Sequence, residues 1–267
     1  MSGTPKQKGT FTFVVRVTDA ASQAARGSLT VQVLGAVPTF ASTSVLNGAS
    51  FRPGLAPGEY LSIFGTNLAV ATASAPDLPL PTAAGGASLQ WNGVDLPLLS
   101  VSRGQINAQL PFDAAPGRGE LTITVDGVTS SKVTVQVQVA APGLFEVSPG
   151  SLLAINEDGT LNAADHGAAT GSVIVFYATG GGPYEAPLHT GEATPIDRLY
   201  RLALPYSVTI GDVPAEVLFA GAAPALGTGL VQLNVRVPDL PAGTWPVVLK
   251  VGEALSNTPG VSVAAHL

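Results

Sequence analysis

Three histidines, His166, His189 and His266, are the side chains of this sequence best suited to move protons near neutral pH. A Ser–His–Asp nucleophile would need a serine on a strained turn with a base beside it. No Gly-x-Ser-x-Gly occurs, and there is no cysteine to serve as a thiolate nucleophile or metal ligand. An esterase- or lactonase-type hydrolase using His189 or His166 with a neighbouring carboxylate is therefore the weakest reading, and the sequence leans away from an enzyme. Glu157, Asp158 and Asp165, with Asn156 and Asn162, offer oxygen donors for Ca²⁺, which takes six to eight of them. Their spacing follows no calcium-loop pattern, however, and Asp158-Gly159 is a ready-made turn. The irregular stretch Gly180–Pro195 carries Tyr184, Glu185, His189 and Glu192, which could line a groove for a glycan or a protein surface. Its glycine run lacks the Lys-Ser/Thr of a phosphate cradle, and nucleotide binding is rejected. A connection between sheets accounts for this loop more simply. Trp91 and Trp245 are candidate sugar platforms, although packing is the better account of both.

The elements that would position these groups are strands. Gln105-Ile106-Asn107-Ala108-Gln109-Leu110-Pro111 is echoed by Gln232-Leu233-Asn234-Val235-Arg236-Val237-Pro238. In both, apolar residues fall on every second position, the mark of a strand with one face in a core and one toward water. The closing proline has no N–H to continue a ladder. Two copies of one strand predict two copies of one domain. Pro57–Asn67 matches Thr170–Gly180, and Ser88–Ser102 matches Ser207–Gly221 without gaps. The second copy then inserts about eight residues, Ala222 through Gly229, before its Gln232 strand. Gln105, Asn107, Gln232 and Asn234 are expected to hydrogen-bond adjacent loops. In front of both copies, Thr10–Thr18 and Ser28–Leu34 form a hairpin, which alone is only marginally stable in water.

The 31 glycines and 22 prolines are about a fifth of the 267 residues, against roughly 12% on average. With 46% hydrophobic residues they predict short strands and tight turns, an all-β protein. Net charge is −6, and the twelve basic residues are scattered singly. That excludes a counterion-releasing basic face and hence nucleic acid as a partner. No apolar run is long enough to span a bilayer as a helix. Met1–Gly9 has no apolar core of the kind that marks a signal peptide, so export information is expected upstream.

Two resemblances sharpen the expectation. Ser2–Pro5, Gly9–Phe13 and Val17–Asp19 resemble the last strands of the putative-Ig/cadherin-like modules of bacterial surface proteins, over the final third of such a module. Residues 1–36 are then an incomplete module, able to complete a neighbouring sheet or to self-associate through the 10–34 hairpin. Asn47–Phe51, Ala56–Gly58, Ile63–Leu68, Gly104–Pro111, Ala141–Phe145, Asn156–Asn162, Tyr177–Gly180 and Gln232–Pro238 together resemble an uncharacterised acidobacterial C-terminal domain family, numerous in Solibacter-type genomes. This second resemblance runs from about residue 40 to the end. It implies tandem Ig-like β-sandwiches similar to IPT/TIG modules, at 37–140 and 141–267, in a large exported protein. It brings no catalytic residue. The expected role is a non-catalytic structural or adhesion module, extracellular or on the cell surface, with a carbohydrate-binding accessory module as the alternative.

Overall fold

The structure, a computed structural model, describes residues 8–33 and 35–265. His266, Leu34 at the end of the hairpin and the Ser2–Pro5 motif lie outside the described residues. The protein is all-β, a hairpin followed by two Ig-like sandwiches, each built around its own hydrophobic cluster.

In the first sandwich one sheet runs in the order Thr39–Asn47, Tyr60–Thr66, Gln105–Gln109, Leu98–Val101 and Ala73–Ser74. The opposing sheet is centred on Ala87–Trp91 and Gly117–Val125. The period-2 pattern decides which side chains meet between them. Leu61, Ile63, Ile106 and Ala108 point in from one sheet and Leu89, Trp91, Leu121 and Ile123 from the other. Ile106 and its counterpart Leu233 are both 0% exposed, and each such side chain contributes about 1.5–3 kcal/mol by leaving water. Trp91 fills the core against Gly119, where an added Cβ would lie 1.9 Å from the indole ring. Trp245 is half-buried at the edge of the second sandwich, its Nε1–H donating to the Pro241 carbonyl at 2.9 Å.

The second sandwich repeats the central strands of this plan in the same register. Asn107 lies opposite Ser62 on one side and Ser100 on the other, and Asn234 lies opposite Val175 and Phe219 in the same way. Both copies carry a bulge at the same point, skipping Leu99 in one and Leu218 in the other. The copies part at Pro97, which has no N–H to donate and leaves Val94–Asp95 and Leu98–Val101 in different sheets. Glu216 stands there in the second copy, and Val213–Ala222 runs unbroken from one sheet to the other, merging them into one continuous sheet. Two turns are set by residues that tolerate positive φ: Asn92-Gly93 (49° and 86°) and Asp126-Gly127 (53° and 82°).

The hairpin of Gly9–Thr18 and Ala24–Val33 pairs only with itself among the described residues. Its register places Phe11, Phe13, Val15 and Val17 on one face with Ala25, Gly27, Leu29, Val31 and Val33. The opposite face holds Thr10, Thr12, Arg16, Thr18, Arg26, Ser28, Thr30 and Gln32 with Val14. The first face is wholly apolar, yet Phe13 is 46% and Leu29 51% exposed.

Candidate functional site

The polar chemistry of this chain concentrates where the two sandwiches meet. Gln109, on the outward face of its strand, is 0% exposed because the second sandwich covers it. Its Nε2 donates to the Gly58 carbonyl (3.0 Å) and to Thr228 Oγ1 (3.2 Å), and its Oε1 accepts from the Gly191 N–H (2.7 Å). Gly191 lies in the 180–195 loop and Thr228 in the 222–229 insertion. The Leu80 N–H donates to the Gly191 carbonyl at 2.7 Å, and the Phe112 N–H to Thr190 Oγ1 at 3.2 Å. Loop and insertion also bond each other, through Thr228 N to the Glu192 carbonyl (3.0 Å) and Thr228 Oγ1 to the His189 carbonyl (2.9 Å). The pair acts as one clamp.

A second cluster of contacts flanks it. Thr179 Oγ1 accepts from the Tyr60 N–H (2.8 Å) and donates to the Gly229 carbonyl (2.7 Å). Asn47 turns its Oδ1 to the N–H groups of Ala49 and Ser50, and its Nδ2 donates to the Ala141 carbonyl (3.0 Å) and Glu59 Oε2 (3.4 Å). The backbones approach so closely that Gly180, at φ 78°, has room for nothing larger: an added Cβ would lie 2.2 Å from the Ala141 carbonyl oxygen. Glu59 is buried in this joint and its Oε1 has no hydrogen-bond partner. Burial pushes its carboxyl well above the usual carboxylate range, against a backbone hydrogen bond at Ala56 and the Asn47 amide. Burial likewise lifts the Tyr60 phenol, lying against Gly227 and Gly229, to about 12.

The four loop residues singled out from the sequence take separate places here. Tyr184 packs edge-on against Phe112 of the first sandwich (5.9 Å between centroids, 77°), and burial raises its phenol pKa. Glu185, His189 and Glu192 are exposed, and it is the backbone of His189 and Glu192 that enters the joint. Of the acidic group, Asp158 Oδ1 accepts from the Thr160 N–H (3.0 Å) and hydroxyl (2.7 Å), bonds that hold its pKa below the usual range. The turn is longer than Asp-Gly alone, closed by the Gly159 N–H on the Asn156 carbonyl (2.9 Å). Glu157 Oε2 accepts from the Val173 N–H at 3.4 Å, and exposed Asp165 faces His166 at 3.7 Å. Asn156 and Asn162 bond each other (2.9 Å). Among the described residues, no three His, Asp or Glu side chains gather round one point.

Two bonded sandwiches of this kind define a tandem Ig-like β protein. No family model matches the sequence, and no curated protein matches it. Solved structures with matching segments include the Bacteroides ovatus mixed-linkage glucan utilization locus protein SGBP-B in complex with a mixed-linkage heptasaccharide (14% identity, 97% of this chain and 53% of that chain, TM-score 0.36). The I9–I11 tandem of titin matches at 12% identity (98% and 76%, TM-score 0.25), and domains 5–6 of the S-layer protein SbsC at 13% (86% and 100%, TM-score 0.28). The chain spans about half the length of the SGBP-B structure.

Proposed function

We propose that this chain is a non-catalytic structural module of an exported bacterial surface or secreted protein, in which the two sandwiches act as one stiff body. The observation that carries the reading is Gln109, a fully buried amide whose bonds tie both the loop and the insertion of the second sandwich to the first. Buried polar groups satisfied on both sides fix one geometry, because any other leaves them unpaired. A spacer or adhesion module needs that property. The acidobacterial C-terminal family resemblance and an extracellular location belong to this same proposal. NMR relaxation tests it: the sandwiches should tumble with one shared correlation time, and independent tumbling would contradict a stiff spacer.

Self-association through the hairpin belongs here too. A sheet face without charge is complementary to its own copy, so two hairpins can close face to face about a two-fold axis. Light scattering should show wild-type mass rising with concentration, while Phe11→Ser with Phe13→Ser stays monomeric. Equal masses for both proteins would rule the contact out.

A further inference from the structure

We infer that the outward face of the first sandwich, around Asn107, binds a neutral polyhydroxylated chain, a glycan. Asn107 is the centre of a ladder of side chains. Its Oδ1 accepts from the Ser62 hydroxyl (2.8 Å) and from Gln105 Nε2 (2.8 Å), and its Nδ2 donates to Ser100 Oγ (2.9 Å). The amides thus bond each other along the sheet, rather than the adjacent loops. This network fixes the orientation of every member and leaves hydrogen-bonding capacity over. The Ser100 hydroxyl proton and the Gln105 side-chain oxygen Oε1 have no protein partner among the described residues, so the face offers both a donor and an acceptor. Sugar hydroxyls, which both donate and accept, suit such a surface.

The ladder lines a groove of about 270 Å³, just below the usual range of ligand sites. Aromatic side chains line it as well, Phe51 and Tyr60 of the first sandwich and Phe145 of the second. No charged side chain lines it, which favours a neutral ligand over an acidic or basic one. Phe51 is 53% exposed at φ 52°, a left-handed conformation that an aromatic residue rarely takes. The turn holding it there is closed by the Phe51 N–H on the Asn47 carbonyl (3.0 Å), and Asn47 is itself anchored in the joint. Strained backbone of this kind clusters at ligand-binding sites, and the Phe51 ring is braced from one side by Phe64 at 6.0 Å between centroids.

The second sandwich supplies an internal comparison. Gln232 Nε2 donates to Asn234 Oδ1 at 2.8 Å, as in the first ladder, but the flanking hydroxyls are replaced. Val175 stands in the place of Ser62, and Phe219 in that of Ser100. Phe219 is 6% exposed, its ring 2.8 Å from where a Cβ on Gly221 would sit. In the first copy the amides pair with hydroxyls and line a groove, whereas in the second the flanking places hold Val175 and Phe219. A purely structural ladder would not require that difference.

The test uses the whole chain with cellotetraose, mannotetraose and maltotetraose as neutral probes, and polygalacturonate and an extended neutral peptide as rivals. Side-chain amide resonances of Asn107 and Gln105 are followed by NMR. At least one neutral tetraose should shift both with a dissociation constant of about a millimolar or tighter, and Ser100→Val should weaken it roughly tenfold, about 1.4 kcal/mol. Phe51→Asn removes the ring but suits the left-handed backbone. It should lose binding at an unchanged or higher melting temperature, which separates loss of the site from loss of the fold. The inference is overturned if no neutral tetraose shifts these amides, if only the acidic polymer or the peptide does, or if both variants bind as wild type.

Discussion

Gln109→Ala should cost about 3 kcal/mol of stability. The substitution strands the Gly191 N–H, which sits in a buried position with no second acceptor, and removes the donor from the Gly58 carbonyl and Thr228 hydroxyl. Each buried polar group left unpaired costs about 1–3 kcal/mol, and the vacated side-chain volume adds to this. The loss should fall on the joint rather than on either core. Hydrogen exchange at Gly191 and Thr228 should therefore accelerate far more than at Ile106 or Leu233, which remain inside their own clusters. Uniform acceleration across both cores would show that Gln109 supports one sandwich and not the contact between two. Arg236, which takes the equivalent ladder place in the second copy, instead bonds Glu216 at the surface (2.8 Å). Arg236→Ala should stay within about 1 kcal/mol of wild type, as exposed ion pairs do.

The second large effect is pH-dependent. Glu59→Gln should stabilise the protein increasingly as pH rises above the normal carboxylate range. The folded-state pKa of Glu59 is raised by burial, so between the unfolded and folded values the folded chain holds a proton that the unfolded chain has released. Stability then falls with rising pH across that window, by up to about 1.4 kcal/mol per pH unit. Below the unfolded value both states are protonated, and Gln and Glu should be nearly equivalent. The difference in unfolding free energy between variant and wild type, measured from pH 4 to pH 8, isolates this one group from the remaining carboxylates. A flat difference would mean that Glu59 is not desolvated. Its retention costs stability, and the Asn47 and Ala141 contacts beside it explain why that place is polar at all.

Much of the fold was legible because sheets have a period of two. The alternation through Ile106-Asn107-Ala108 and Leu233-Asn234-Val235 named the inward faces, and matching Ser88–Ser102 to Ser207–Gly221 carried through to the same bulge in both copies. The polar joint was not legible, for two physical reasons. Its bonds connect residues far apart in sequence, such as Gln109 with Gly191 and Thr228. Moreover, most of these bonds use backbone on at least one side: Gly191 offers an N–H and a carbonyl, groups that every residue carries and no pattern reveals. The 180–195 loop attracted notice for its side chains, of which Tyr184 docks, whereas His189 and Glu192 enter the joint through their backbone. The sequence does hold two signals of the joint that its reading did not use, the extra residues 222–229 and the exchange of Gln109 for Arg236 between copies. The Asn107 groove was half visible, since the amides recur in both repeats. What distinguishes the first copy is the serines beside them, visible only once the strands are placed side by side.

The absence of native cysteine makes the joint directly measurable. Ser131 and Ser207 are exposed, one on each sandwich, and a spin label at Ser131→Cys and Ser207→Cys reports the distance between them by pulsed electron resonance. A stiff pair of sandwiches gives a single narrow distance distribution in dilute solution, broadened when Gln109→Ala is added. A broad distribution in the otherwise wild-type protein, unchanged by Gln109→Ala, would mean that the two halves move freely and that the joint does not hold them.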